Sequence, residues 1–120
     1  MLTIKSLNQF YGGSHTLWDV DMIVPTGSVT CLMGRNGMGK TTTVRSILGL
    51  TPARSGSIRF RGERIDQLSP DRIARMGVAV VPEGRQIFPN LTVLENLKAF
   101  AAQRNASPTP WTLERIYALF

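Results

Sequence analysis

The chain has 120 residues, 42% hydrophobic and 18% charged, proportions of an ordinary folded domain and too apolar for a disordered segment. Its apolar runs, such as "VAVV", fall far short of the roughly 20 residues a membrane-spanning helix needs, and "MLTIKSLNQF" carries no signal-peptide core, so a cytoplasmic chain is expected. Fourteen Lys and Arg against eight Asp and Glu leave a net charge of +6, and the one cysteine, Cys31, rules out an internal disulfide.

In chain order, "LTIKSLN" alternates apolar and polar over residues 2–7 and predicts a half-buried strand, as does "VDMIV" at 20–24. Between them, His15 reads as a polar loop residue beside Gly12 and Gly13. Pro25 and Gly27 form a turn into an apolar run at 29–33, a predicted strand in which Cys31 is expected as a buried small hydrophobe. That run ends at "GRNGMGKTT", after which Val44, Ile47 and Leu48 recur at helical spacing until Gly49 and Pro52 stop the pattern. "SGSIRFRGERI" predicts a hairpin with Ile58 and Phe60 inward and Arg59 and Arg61 in water. A short helix comes next, with Ser69 as N-cap, Pro70 at the first position and Gly77 as the stop. Residues 78–81, "VAVV", lack alternation and suit a strand covered on both faces, so the expected sheet is mixed. "TVLE" at 92–95 is a capping box opening a helix to about Arg104, with Leu94, Leu97 and Phe100 inward. "NASPTP" breaks it, and a last helical pattern from Trp111 places Leu113, Ile116, Tyr117 and Phe120 on one face without a stop signal.

The stretch "GRNGMGKTT" fits G-x-x-x-x-G-K-[ST] in the order strand, glycine loop, helix, the setting a phosphate-binding loop requires. Gly34, Gly37 and Gly39 permit backbone angles closed to other residues, so successive N–H groups can turn inward and form an anion-binding concavity. Arg35, Asn36 and Met38 need contribute only backbone to it. The helix start adds the positive end of its dipole, the Lys40 ammonium can reach terminal phosphates, and the Thr41 hydroxyl can ligate Mg²⁺.

A phosphate loop alone leaves kinases, G proteins and many ATPases open. No D-x-x-G begins at Asp66 or Asp71, which weighs against a GTPase. The chain instead continues through "SGSIRFRG" to "VAVVPEGRQIFPNLTVLENL", and here it resembles the ATP-binding subunits of ABC transporters, from "YGGSHTLWDV" to "WTLERIYALF". The blocks "GRNGMGKTT", "VPEGR", "IFPNLTV" and "WTLER" resemble most the branched-chain amino-acid uptake type, with the urea-uptake type second.

The resemblance implies an α/β P-loop fold, ATP and Mg²⁺ as cofactors, and ATP hydrolysis coupled to solute uptake. Its implied partners are transmembrane permease subunits, a second ATP-binding subunit and, indirectly, a periplasmic solute-binding protein, at the cytoplasmic face of the inner membrane. By position it makes Tyr11 the aromatic that stacks on adenine, although the pattern around Tyr11 also suits a core residue. Gly34, Asn36, Gly37 and Gly39 become the cradle, and Lys40, Thr41 and Thr42 the phosphate and magnesium contacts. Glu83 stands where most of the family carries a glutamine that meets Mg²⁺ or the attacking water. A carboxylate can ligate magnesium there, and a solvated loop acid is the plain alternative. Gln86 is a second sensing candidate.

The resemblance further implies that residues 1–120 are the N-terminal part of one such domain, ahead of the signature motif, the catalytic acid and the switch histidine. By itself such a piece is expected to be inactive in hydrolysis. A nucleotide-binding module without hydrolysis and a basic nucleic-acid-associated ATPase remain the other classes. Six arginines fall between Arg54 and Arg75, but Glu63, Asp66 and Asp71 interleave them without an aromatic stacking pattern. That favours a solvated surface and no nucleic-acid partner.

Overall fold

In the computed structural model, which describes residues 1–84, 86–101 and 110–120 (Phe100 without its side chain), four strands form one sheet in the order β2-β1-β3-β4. They are β1 (Leu2–Tyr11), β2 (Ser14–Val24), β3 (Ser55–Phe60) and β4 (Glu63–Arg64), and every pairing is antiparallel. Four helices accompany them: α1 (Lys40–Ile47), α2 (Pro70–Arg75), α3 (Val93–Phe100) and α4 (Leu113–Leu119). The chain divides into two units, Met1–Val78 and Ala79–Phe120.

In the first unit, β1 and β2 run to the very tip of a hairpin, well beyond the expected residues 2–7 and 20–24. Tyr11 pairs with Ser14 across Gly12 and Gly13, and Gly12 takes a left-handed φ of 58° there. His15 is consequently a strand residue, opposite Phe10. Ile4 and Leu7 of β1, Leu17 of β2 and Ile58 of β3 are buried, the ladder slipping between Ile4 and Leu7 so that both can face the core, and Ile65 and Ile73 complete it. Two non-glycine residues with positive φ, Ser6 and Asp19, mark irregular points in this ladder, and the Asp21 carboxylate accepts the Ser6 N–H at 2.6 Å. Gly56 is obligatory in β3, because a Cβ there would collide with the carbonyls of Lys5 and Ser6 on β1. At the far end of β3, Asp66 accepts from the Ile58 N–H at 3.1 Å and from Arg64 Nε at 2.9 Å. Burial pushes the Asp66 pKa up, but these hydrogen bonds and the guanidinium charge outweigh it and hold the carboxyl below its ordinary value.

Two expected strands are not formed. Residues 29–33 and 78–81 carry no ladder; Val29 is 100% exposed and Val81 97% exposed, and Cys31 lies in water instead of in a core. A strand needs a hydrogen-bonding neighbour as well as the right composition, and no described residue pairs with either run. The described sheet is therefore antiparallel where a mixed one was expected. The expected helix phase also shifts in α1. Val44 is exposed, while Thr42, Thr43 and Ser46 are buried.

In the second unit the capping box of α3 forms as read. Thr92 Oγ1 accepts from the Glu95 N–H at 3.2 Å, and Glu95 Oε2 accepts from the Thr92 N–H at 2.8 Å. That second bond first, and the Thr92 hydroxyl next, keep the Glu95 carboxyl below its usual range. The helix ends at Phe100, with Ala101 extended as its C-cap, short of the expected Arg104; residues 102–104 and the Phe100 side chain, expected inward, lie outside what is described. Leu94 is exposed rather than inward, and in α4 Tyr117 is exposed too, whereas Leu113 and Ile116 are half-buried.

Candidate functional site

The glycine loop, residues 34–39, leads straight into α1. Gly37 and Gly39 hold φ values of 84° and 83°, left-handed angles that favour glycine, and they turn the backbone about the loop. Gly39 is the N-cap of α1 and is packed as tightly as it is turned. A Cβ there would stand 2.5 Å from Leu17 Cδ2 and 3.4 Å from the Thr16 carbonyl oxygen. The loop is thus seated against β2 through the buried Leu17, a residue outside the strand expected at 20–24.

Lys40 folds back over the loop that precedes it. Its Nζ donates to the Gly34 carbonyl at 2.6 Å and to the Arg35 carbonyl at 2.8 Å, so the ammonium is held beside the backbone meant to surround an anion. Met38 N–H donates to the Arg35 carbonyl at 3.3 Å and closes the turn between them. Within α1, the Thr43 hydroxyl donates to the Gly39 carbonyl at 3.0 Å, locking the first turn, and no acidic residue stands in that turn to cancel the positive helix end. Left-handed glycine angles, a tethered ammonium and a helix start free of acidic residues stand together at this loop. Thr41 is exposed at the first turn of the helix, where its hydroxyl is open to a cation, whereas Thr42 is 7% exposed and turned into the unit.

Tyr11 closes β1 with 47% of its surface exposed, which sets aside the core alternative. Hydrogen bonds first to Thr51 and then to Thr42, aided by the Arg45 charge, hold its phenol below the ordinary pKa. Thr51, buried at 9% exposure just beyond α1, has no signature in the sequence that would mark it as a partner of Tyr11. Tyr11, the loop residues Gly34, Asn36, Gly37 and Gly39, and Lys40, Thr41 and Thr42 all belong to the first unit. Glu83 and Gln86 belong to the second unit, and both are exposed, Glu83 in a turn. Arg85, between them, lies outside the described residues.

The basic stretch resolves into internal contacts. Arg54 lies over the Phe10 ring at 5.3 Å and Arg61 over Phe60 at 5.1 Å. Arg59 donates to the Gly62 carbonyl at 3.1 Å, Arg64 pairs with Asp66 at 2.9 Å, and Arg75 with Asp71 at 3.4 Å. These five arginines make contacts within their own unit. Among the described residues no cluster of three or more His, Cys, Asp or Glu is placed to hold a metal, and no helix is long and apolar enough to cross a membrane.

The model of the ABC transporter family matches residues 17–118. The high-affinity branched-chain amino acid transport ATP-binding protein BraG of Pseudomonas aeruginosa is 43% identical over 97 residues, covering 81% of this chain and 42% of BraG. The lipopolysaccharide export system ATP-binding protein LptB of Escherichia coli K12 is 37% identical over 98 residues, covering 82% of this chain and 41% of LptB. A solved ATP-binding subunit of an ABC transporter superposes with a TM-score of 0.73 at 34% identity, over 82% of this chain and 40% of that one. The chain spans about two-fifths of the length of the curated relatives it matches.

Proposed function

Because this chain belongs to the ABC transporter ATP-binding family, we propose that it is the nucleotide-binding part of an importer's ATPase subunit, one serving branched-chain amino acids. The observation that carries the reading is the Lys40 ammonium, held 2.6 and 2.8 Å from two carbonyls of a glycine loop that caps α1. In this reading residues 34–39 and Lys40 bind the triphosphate of ATP, Thr41 offers a hydroxyl to Mg²⁺, and Tyr11 stacks on the adenine. Bound Mg²⁺ would supply charge neutralisation at the phosphates. Glu83 is a further ligand or water contact in the same proposal, on its place in the sequence alone.

Identity of 43% to a branched-chain amino acid transport protein favours that solute, and 37% identity to an exporter makes an export ATPase the alternative. The partners in this reading are permease subunits, a second ATP-binding subunit and, through them, a solute-binding protein, with the chain peripheral on the cytoplasmic side. The chain is taken as the N-terminal part of a domain whose hydrolytic residues lie elsewhere. Positioning and electrostatics supply nearly all phosphoryl-transfer catalysis, so residues 1–120 alone bind nucleotide without turnover.

Calorimetric titration tests this. The chain is expected to bind Mg·ATP, and Lys40→Ala to lose about 1.5–3 kcal/mol, the worth of a charged hydrogen-bond donor. Equal affinity in the two proteins removes the phosphate-loop reading. Phosphate release that depends on Lys40 removes the claim that the chain is inactive by itself.

A further inference from the structure

His15, which the sequence leaves without a role, is held near the hairpin tip by two rings and a hydrogen bond. Its ring is stacked on Phe10 with centroids 4.0 Å apart and planes 10° apart, and it meets the Trp18 ring at 3.5 Å and 30°. The Arg54 guanidinium lies over the same Phe10 ring, extending the stack to four side chains from β1, β2 and the approach to β3. His15 Nε2 also lies 2.9 Å from Asn8 Oδ1. Asn8 cannot be turned over, because its Nδ2 donates to Asp19 Oδ1 at 2.8 Å and to the Ser6 carbonyl at 3.0 Å, while its Oδ1 accepts the Asp19 N–H at 3.2 Å. The Nε2 of His15 is consequently the protonated nitrogen and donates to Asn8. The stack fixes the plane of the ring, and the bond to Asn8 fixes its rotation within that plane.

This restraint sits one residue pair before the tip. Phe10 faces His15, the next pair is Tyr11 with Ser14, and only Gly12 and Gly13 lie beyond. A half-exposed aromatic at the end of a two-glycine turn contributes binding energy only insofar as it is ordered before the ligand arrives. We propose that His15, clamped between Phe10 and Trp18 and tied to Asn8, is a positioning residue that holds the hairpin tip so that Tyr11 presents its ring to the base of a bound adenine nucleotide. This rests on the reading of Tyr11 given above. The His15 stack on Phe10 fixes the backbone from which the Tyr11 side chain springs. His15 acts through Tyr11 and touches no phosphate.

The test uses the 120-residue chain, with Mg·ATP and inorganic tripolyphosphate as separate probes in calorimetry, and amide hydrogen exchange without ligand. His15→Ala is expected to weaken ATP roughly threefold to tenfold, the range of an aromatic pair, while tripolyphosphate affinity stays within about twofold. His15→Phe, which keeps the stack and gives up only the Asn8 bond, is expected to fall between wild type and His15→Ala. Without ligand, the Tyr11 and Ser14 amides of His15→Ala and of Trp18→Ala should exchange at least about threefold faster, with Ile4 and Ile58 unchanged. Unchanged ATP affinity in His15→Ala alongside a loss in Tyr11→Ala overturns the inference. Equal losses for ATP and tripolyphosphate overturn it too, since they mean general damage to the unit. Unchanged exchange at Tyr11 and Ser14 does so whether or not nucleotide binds. Faster exchange at those amides in a chain that binds neither probe sinks the proposed function and leaves the mechanical role of His15 standing.

Discussion

Gly39→Ala probes the seat of the phosphate loop more sharply than any change to a charged group. The new methyl meets two separate penalties. At φ 83° an L-residue sits in the left-handed region, at a cost of about 1–2 kcal/mol. Its Cβ would also stand 2.5 Å from Leu17 Cδ2, in a core where overpacking costs about 1–3 kcal/mol. Together they remove about 2–5 kcal/mol from a fold whose whole stability is on the order of 5–15 kcal/mol. Only the second penalty can be relieved from outside the loop. Leu17→Ala opens the space, at its own cavity cost of about 2–5 kcal/mol, so the double variant should be less destabilised than the two singles added, by about 1–3 kcal/mol. Gly13→Ala, with nothing within 4 Å of its Cβ, is the control and should move stability by no more than about 0.5 kcal/mol. Urea unfolding tracked by Trp18 fluorescence in a Trp111→Phe background reports the first unit alone. Strict additivity of Gly39→Ala and Leu17→Ala would show that the loop does not rest on Leu17, and the case for a preformed cradle would fail with it.

Three other outcomes rest on particular contacts. The folded Asp66 carboxyl titrates below its unfolded value of about 3.9, so its contribution is complete above that pH and fades as pH falls through the folded value. Urea midpoints should therefore drop more between pH 6 and pH 3 in wild type than in Asp66→Asn, and parallel curves would contradict the assignment. Ser46 Oγ is buried with no hydrogen-bond partner among the described residues, so Ser46→Ala should raise the stability of the first unit by about 0.5–1.5 kcal/mol in the same urea assay; a loss would reveal a partner. In the second unit Asn96 accepts the Phe88 N–H at 3.0 Å and donates among the carbonyls of Phe88, Leu91 and Thr92. Asn96→Ala should accordingly speed exchange of the Phe88 and Leu91 amides by about tenfold, the equivalent of ~1.4 kcal/mol, and unchanged exchange would show the turn stands without it.

The sequence speaks most clearly where structure is local. The capping box at Thr92 and Glu95, the Pro70 start of α2 and the hairpin built on β3 and β4 each depend on residues a few positions apart, and each forms as read; the glycine loop leads into α1 as expected but lacks the strand expected before it. The phase of α1 departs from its apolar residues, because an eight-residue helix is oriented by how its first turn is seated. With Gly39 pinned on Leu17 and Thr43 bonded back to the Gly39 carbonyl, Thr42 and Ser46 face inward and Val44 faces water. Residues 29–33 and 78–81 mislead for a related reason. Their apolar composition suits strands, yet composition does not supply a neighbouring ladder. In the site, glycine spacing and the lysine are visible in one dimension. The supports are not: Leu17 beneath Gly39 and Asn8 holding His15 both lie well away along the chain from the groups they fix.

The central claim is that the backbone of residues 34–41 forms an anion cradle closed by Lys40. Titrating inorganic tripolyphosphate into the ¹⁵N-labelled chain and monitoring amide shifts tests it at the atoms concerned. The expected result is saturating shifts that are largest at Gly37, Met38, Gly39, Lys40 and Thr41 and that vanish in Lys40→Ala. Shifts centred instead on Arg59, Arg61 and Arg64, or shifts at the loop that survive Lys40→Ala, would contradict it.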